Sequence, residues 1–277
     1  MAVLLGLCVA LTYGAADFCG GVASRRSSSA TVALWSQSVG LIGAVIVALI
    51  VGWDEILGAD LARGAGAGIA QLVGVIALYR GLAMGRMGVV APVSAVISAT
   101  LPVGWGLAQG EDPSALALAG VAVAVVAIAI VARAPDPEPR DDPNRGLLFA
   151  LLAGFGFGVN FICFAETSEA SGMLPVVTAR LVAVPLVLLA LLLTRTALQP
   201  HREDRPIAMG TGALDVTANA FLITAVRGEM MSLVAPIASL YPAGTVLLAR
   251  VVLDEPIGRV RLAGLGLAVV GLVFIAI

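Results

Sequence analysis

Three ionisable residues lie well inside long apolar runs of the chain: Asp17, Arg180 and Asp215. A charged side chain at the centre of a lipid bilayer costs about 2.5 to 3.5 kcal/mol on insertion scales, so it usually faces a partner or a water-filled cavity. A carboxylate there can bind a cationic group or a proton, and a guanidinium can bind a carboxylate or neutralise an acid. These residues therefore predict a substrate site; the alternative is that they are structural interhelical or snorkelling charges.

Neutral polar residues extend this candidate site. Asn219 follows Asp215 at i+4, on the same helical face. When the chain is aligned with itself at a shift of 144 residues, Gln71 falls opposite Asp215, and a shift of 143 places Asp17 on Asn160. We predict that the substrate-binding set consists of Asp215, Asn219, Gln71, Arg180, Asp17 and Asn160.

Aromatic residues are scarce, at 5% of the chain, so their positions are informative. Trp and Tyr are enriched where membrane meets water, and this favours Trp53 and Trp105 as interfacial residues. Tyr13, Trp35 and Tyr241 are instead predicted to line the substrate cavity, with an interfacial position as the alternative.

Prolines occur in equivalent apolar runs of the two halves. Pro92 and Pro102 lie in the fourth run, and Pro236 and Pro242 lie in the ninth. Because proline removes an intrahelical hydrogen bond and kinks the helix, these four residues are predicted to act as hinges or gates. Packing bends without motion are the alternative.

The composition identifies the elements that must position these residues. Of 277 residues, 60% are hydrophobic and 12% are charged, which excludes an ordinary soluble enzyme. About 20 apolar residues cross a bilayer as a helix. Ten transmembrane helices are predicted at about residues 2 to 22, 30 to 51, 63 to 83, 87 to 107, 114 to 133, 145 to 165, 173 to 194, 207 to 226, 230 to 250 and 258 to 277. The predicted fold class is an all-α polytopic membrane protein.

The ten helices divide into two similar units. A shift of 144 residues lays Val89 to Ile130 on Leu233 to Phe274 without a gap, and eleven of the 42 aligned positions are identical. A linker rich in Pro and Asp separates the halves. We predict a first five-helix unit at residues 1–133, a linker at 134–144 and a second five-helix unit at 145–277.

An odd number of helices in each unit makes the second unit enter the membrane from the opposite side, which predicts inverted repeats. The charges support this prediction, because equivalent loops carry opposite signs. Thirteen arginines lie in the loops after helices 1, 3, 5, 7 and 9, whereas two lie on the other side. Since basic loops stay in the cytoplasm, the arginine count predicts that both termini are outside it.

Several motifs resemble the EamA-like permeases of the drug/metabolite transporter superfamily, which contain two EamA units. They are Tyr-Arg-Gly at 79 to 81, Val-Ala-Pro at 90 to 92, Ser-Leu-Val-Ala-Pro-Ile-Ala-Ser-Leu-Tyr-Pro at 232 to 242, Leu-Asp-Glu-Pro at 253 to 256 and Leu-Ala-Gly-Leu-Gly-Leu at 262 to 267. The resemblance implies ten helices and alternating-access export of small metabolites, amino acids or drugs across the bacterial inner membrane. It also implies cytoplasmic termini, in contrast to the arginine count.

No nucleotide-binding or hydrolase motif is present, and the single histidine and three cysteines show no metal-ligand spacing. We therefore expect no enzyme activity, no cofactor, no metal and no nucleic-acid partner. The expected function is secondary active transport of a small molecule by a monomer or homodimer in the lipid bilayer, with protons as the simplest coupling ion. The alternatives are a facilitative importer or exchanger of a small polar solute, and a non-transporting membrane enzyme or receptor.

Overall fold

The computed structural model describes residues 2–84, 87–110, 114–133, 143–227, 241–254 and 258–276. Within these ranges the chain forms ten α-helices and no strand, which confirms the all-helical prediction. The helices are α1 (Ala2–Ala23), α2 (Ser29–Val51), α3 (Gly58–Ala83), α4 (Met87–Ala108), α5 (Ala115–Arg133), α6 (Pro143–Ala165), α7 (Leu174–Leu193), α8 (Arg205–Arg227), α9 (Tyr241–Val252) and α10 (Arg259–Ala276), with a short 3-10 helix at Glu169–Ser171.

Most helix ends lie within a few residues of the predicted ones. Among the predicted helix ends that fall within the described residues, the largest difference is at α3, which begins at Gly58 instead of residue 63. Asp60 allows this earlier start, because its carboxylate is buried against the loop before α7 instead of lying in solvent. Residues 134–142 of the predicted linker and residues 228–240, which include Pro236, lie outside the described residues.

The helices are apolar on their outer surfaces as well as in their contacts. Five described helical segments are long and apolar enough to cross a membrane, at Ser29–Val51, Gly58–Ala83, Met87–Ala108, Arg145–Ala165 and Leu174–Leu193, and three shorter apolar segments lie at Cys8–Ala23, Ala115–Ala127 and Leu262–Phe274. Large aliphatic side chains such as Leu49, Ile50 and Leu193 project outward, away from the bundle. An exposed apolar surface of this kind suits hydrocarbon and not water.

The two halves of the chain are packed together along most of their length. α1 packs on α8 and α3 packs on α6, while α2 and α7 meet each other. Two glycines allow the closest approaches. A Cβ on Gly68 of α3 would overlap the carbonyl oxygen of Ala179 in α7, and a Cβ on Gly212 of α8 would overlap the carbonyl oxygen of Ser36 in α2. Larger residues at these positions would force the helices apart.

Buried Ser–Asp contacts join the loops at both ends of the bundle. At one end, Ser27 in the α1–α2 loop donates a 2.7 Å hydrogen bond from its Oγ to Oδ2 of Asp204, just before α8. At the other end, Ser171 before α7 donates a 2.7 Å hydrogen bond to Oδ2 of Asp60 in the first turn of α3. All four residues are buried. Each contact ties a loop of one half to the other half.

The loops that meet at the two ends differ in charge. The α1–α2 and α7–α8 loops together carry Arg25, Arg26, Arg195 and Arg202, and we refer to this as the arginine-rich end. The loops around α2–α3 and α6–α7 carry Asp54, Glu55, Glu166 and Glu169, and we refer to this as the acidic end. Equivalent loops of the two halves carry opposite charges in the sequence, and in the structure these loops lie at opposite ends of the bundle.

Adjacent residues at the arginine-rich end provide a direct test of the Ser–Asp contact. Asp204→Ala should lower the free energy of unfolding by about 1.5 to 3 kcal/mol, because it leaves the buried Ser27 hydroxyl without its charged acceptor. Glu203→Ala should cost less than about 1 kcal/mol, because the ion pair of Glu203 with Arg26 is largely exposed, at 81% and 66% of the two side chains. Denaturant unfolding in detergent micelles would compare the variants, and equal losses would contradict a structural role for the buried contact.

Candidate functional site

Arg180 makes the deepest charged contact that the structure describes. It lies on α7, and its guanidinium donates one hydrogen bond from Nη2 to Oδ2 of Asp215 on α8 and another from Nη1 to Oε1 of Gln37 on α2. The Arg180 side chain is 4% exposed and the Asp215 side chain is 23% exposed. Three helices therefore share one buried ion pair. Since Asp215 keeps more exposure than Arg180, the carboxylate is the more accessible partner.

Gly40 on α2 and Asn219 on α8 hold this ion pair in place. A Cβ on Gly40 would lie 3.2 Å from Nη1 of Arg180, so the guanidinium occupies the space that a larger residue on α2 would take. On α8, Asn219 donates from Nδ2 to the carbonyl oxygen of Asp215 at 2.8 Å and to its Oδ2 at 3.4 Å. The i+4 spacing thus brings Asn219 and Asp215 together, as predicted from the sequence.

The guanidinium retains an unused donor. Nε of Arg180 is buried and has no hydrogen-bond partner among the residues that the structure describes. A buried donor without an acceptor is costly, and more so when it belongs to a charged group. Nε of Arg180 can therefore donate to a further anionic or carbonyl oxygen while the contacts of Arg180 to Asp215 and Gln37 are kept.

Asp17 and the tyrosines surround the ion pair. Tyr13 on α1 interacts electrostatically with Asp215, Arg180 and Asp17. Tyr79 on α3 interacts with the same three charges. The rings of Tyr13 and Tyr241 meet edge to face, with centroids 6.4 Å apart. All three tyrosines of the chain thus lie around its three intramembrane charges. We call Tyr13, Asp17, Gln37, Tyr79, Arg180, Asp215 and Tyr241 the polar cluster.

The charges of the polar cluster do not balance. Asp17 is near enough to Asp215 for the two carboxylates to interact, yet among the described residues Asp17 forms no hydrogen bond or ion pair. The polar cluster thus contains two carboxylates and one guanidinium, which pairs with Asp215. The second carboxylate leaves the polar cluster with an excess negative charge, and this favours binding of a cationic group. Ser36 near Tyr79 and Ser98 near Tyr241 add further polar groups, and their hydroxyls donate to the carbonyl oxygens of Ala33 and Ala95.

Other predicted site residues lie apart from this cluster. Asn160 is buried on α6, and its Nδ2 donates to the carbonyl oxygen of Ala67 on α3 at 3.2 Å. The indole Nε1 of Trp35 donates to the carbonyl oxygen of Leu198 at 2.9 Å, which ties α2 to the α7–α8 loop. Gln71 is partly exposed on α3, without a hydrogen bond to the polar cluster in the described ranges. Roles for these three residues in binding remain predictions.

The predicted hinge residues occupy two helices. Pro92 and Pro102 both lie inside α4, which stays helical from Met87 to Ala108. Pro242 is the second residue of the described part of α9, next to Tyr241 of the polar cluster. Helix continuity through both α4 prolines is compatible with hinges and with static bends, so their gating role also remains a prediction.

The sequence prediction missed two members of the polar cluster. Gln37 is a neutral amide in an apolar helix, so the rarity of charge in that helix does not identify it. The shift of 143 residues that lays Asp17 on Asn160 also lays Gln37 on Arg180, and this signal could have identified it. Tyr79 belongs to the Tyr-Arg-Gly motif, which carries the family resemblance but does not by itself indicate a site residue. No group of three His, Cys, Asp or Glu residues that could hold a metal occurs in the part of the chain that the structure describes.

The apolar helices define the class of protein, an integral membrane protein with a polar interior. Residues 144–277 match the EamA-like transporter family. The match covers the second predicted unit, slightly less than half of the chain, and it confirms the resemblance to the EamA-like permeases there.

The fold is shared with a solved protein. One crystal structure is similar over 99% of this chain and 96% of its own, with a TM-score of 0.64 and 17% sequence identity. At that identity the likeness concerns the fold alone. No curated protein matches the sequence.

The ion pair predicts an unequal response to its two neutral variants. Asp215→Asn leaves the more deeply buried Arg180 without its counter-ion, so it should lower the free energy of unfolding by about 3 kcal/mol, near the lower end for a broken buried pair. Arg180→Gln should cost less, because Asp215 is partly exposed and keeps its bonds from Asn219. The double variant should lose less than the sum of the single losses. Additive losses, measured in detergent micelles, would show that the two residues are not coupled.

Proposed function

We propose that this chain is a secondary active transporter that exports a small metabolite, amino acid or drug-like compound across the bacterial inner membrane by alternating access. The observation that carries the proposal is the polar cluster, in which Arg180, Asp215 and Gln37 meet inside an otherwise apolar bundle. Ionisable residues at such a depth are costly to insert and are typical of substrate or ion pathways. The chain has no nucleotide-binding motif, so a solute gradient or an ion gradient is the proposed driving force.

The polar cluster suggests how a substrate would be bound. The unused Nε donor of Arg180 suits a carboxylate or another oxygen acceptor. Asp17 suits a cationic group, because no other side chain among the described residues forms an ion pair with it, and the rings of Tyr13 and Tyr241 can contact such a group through their π faces. A solute that carries both a carboxylate and an amine would use both sets of contacts. Amino acids therefore fit this arrangement well.

We further propose that the two halves are inverted repeats. The two Ser–Asp contacts support this, because Ser27 and Ser171 differ by 144 in number, as do Asp60 and Asp204. The close approaches at Gly68 and Gly212 have the same spacing. In each pair of equivalent contacts, the third helix of one half, or its first turn or preceding loop, meets the second helix of the other half or the loop before it. This relation is expected when a pseudo-two-fold axis lies in the membrane plane.

The axis of such a repeat would pass close to Arg180. A shift of 143 residues makes Gln37 and Arg180 equivalent, and these two side chains are hydrogen-bonded to each other. Contact between equivalent residues is possible only near a two-fold axis. In transporters with inverted repeats the substrate site lies at the interface of the repeats near the bilayer midplane. We therefore propose that the substrate site lies at the polar cluster.

Transport assays on reconstituted liposomes would test the site residue by residue. Wild-type protein should catalyse counterflow of at least one compound from a panel of labelled amino acids and cationic drugs. Asp215→Asn should reduce counterflow by about 10- to 100-fold, because a hydrogen bond to a charged group contributes about 1.5 to 3 kcal/mol. Asp54→Asn, at an exposed carboxylate of the acidic end, is the matched control and should transport normally. Normal counterflow by Asp215→Asn would remove Asp215 from the mechanism.

The same liposomes separate proton coupling from solute binding. Asp17 could bind either the cationic group of the solute or the coupling proton, and Asp17→Asn distinguishes the two roles. Loss of counterflow would assign Asp17 to solute binding. Normal counterflow, which needs no net proton movement, together with loss of uptake driven by an imposed pH gradient would assign Asp17 to proton coupling. A wild-type protein that ignores the pH gradient would indicate facilitated exchange. An unchanged gradient response in Asp17→Asn would exclude Asp17 as the proton carrier.

The orientation can be tested independently of transport. We propose that the arginine-rich end faces the cytoplasm, because basic residues near membrane spans are retained there. A phosphatase fusion after Ile277 should then be active and a fluorescent-protein fusion should be dark, since the terminus would lie outside the cytoplasm. A cytoplasmic readout at this position would overturn the orientation based on charge and would agree with the orientation that the family resemblance implies.

A further inference from the structure

An apolar cavity opens on the side of the bundle between α4, α9 and α10. Its volume is about 510 Å³, and Pro92, Pro242, Val246, Leu265 and Leu272 contribute to its lining. At its rim, Leu247 and Leu262 are 59% and 60% exposed. The cavity is therefore open towards the surroundings of the helices. It is separate from the polar cluster, none of whose members line it among the described residues.

The depth of the cavity matches one leaflet of a bilayer. On α9 its lining runs from Pro242 to Arg250, and on α10 it runs from Leu262 to Leu272. At 1.5 Å per residue these stretches span about 12 and 15 Å along the helices. Half of a hydrocarbon core of about 30 Å is about 15 Å. A cavity of this depth suits an extended hydrocarbon chain that starts near the membrane surface.

A positive charge marks the surface end of the cavity. Arg250 lines the cavity from the last turn of α9 and is exposed, and the exposed Arg259 begins α10 after the short connection. Both flank the connection that follows α9, an odd-numbered helix, just as the arginines of the arginine-rich end lie in connections that follow α1 and α7. Basic pockets between membrane helices bind anionic lipid head groups. An apolar cleft with a cation at its mouth is complementary to a chain with an anionic head.

We propose that this cavity binds the acyl chain of an anionic phospholipid, with the phosphate-bearing head group at Arg250. The lipid would touch Pro92 on α4 and Pro242 on α9, the two described helices that carry the predicted hinges. Its occupancy would therefore restrain relative movement of these helices. Lipid binding at this site does not depend on which solute is transported, so it can be tested without a known substrate.

Photo-crosslinking provides the first test. The protein is reconstituted in phosphatidylcholine vesicles that contain a phosphatidylglycerol analogue with a diazirine in its acyl chain, and cross-linked peptides are identified by mass spectrometry. Cross-links should concentrate in α9 and α10. Gly266→Trp should abolish them, because a Cβ at Gly266 faces open space beside the cavity and an indole would fill it. Gly104→Trp, at an exposed glycine on α4 with equally open surroundings, is the matched control and should leave them unchanged.

The head-group preference provides the second test. Competition by unlabelled phosphatidylglycerol should exceed competition by phosphatidylcholine, and Arg250→Gln should reduce this preference about five-fold, the equivalent of about 1 kcal/mol for one basic residue near the surface. Arg25→Gln, at an exposed arginine of the arginine-rich end, should not change it. Cross-links spread evenly over the outer helices, or unaffected by Gly266→Trp, would overturn the proposal. So would a chemically cross-linked dimer through α10 without lipid adducts, which would assign the cavity to a second copy of the chain.

Discussion

The buried guanidinium of Arg180 is the constraint on which the arrangement of the bundle depends. A lone cation has no favourable place inside hydrocarbon, so the protein must supply its counter-charge and acceptors from neighbouring helices. Asp215 supplies the charge and Gln37 supplies a second acceptor. These contacts require α2, α7 and α8 to approach closely, and Gly40 and Gly212 provide the necessary space. The packing of three helices therefore follows from the need to neutralise one residue.

The polar groups that remain after this neutralisation give the interior its chemistry. One carboxylate, Asp17, has no ion-pair partner among the described residues, and one donor, Nε of Arg180, has no acceptor there. Both are costly in a low-dielectric interior, and a bound solute or proton can offset that cost. The tyrosines around them are polar at one edge and apolar elsewhere, so they can line a water-accessible space within an apolar bundle. Structural neutralisation and ligand binding thus use different atoms of the same cluster.

Particular residues show what the sequence could predict and what it could not. The length of the apolar runs is sufficient to predict the helices, because a segment of about 20 apolar residues that crosses lipid has few alternatives to a helix. The rarity of charge in the apolar runs indicates Asp17, Arg180 and Asp215, and the structure brings Arg180 and Asp215 into contact, whereas their role in binding stays a prediction. Trp35 was harder, because its indole bonds to Leu198, and the path of a loop 163 residues away cannot be read from local pattern. Gln37 was missed because a neutral amide has a weak hydropathy signal, although its importance comes from a long-range contact with Arg180.

The loop contacts at the two ends affect how the bundle could alternate between a state open at one end and a state open at the other. A ligand shifts a conformational equilibrium only by its differential affinity for the two states, so the states must lie within a few kcal/mol of each other without it. The ends carry opposite charge but are closed by like contacts, a buried Ser–Asp hydrogen bond of 2.7 Å at each. Further loop bonds accompany each contact, from Thr31 to Ala197 at one end and from Asp54 to Ala170 at the other. Opening either end would therefore break similar interactions. Under the proposed alternating access, this similarity keeps the two openings close in free energy and leaves the choice between them to the occupancy of the polar cluster.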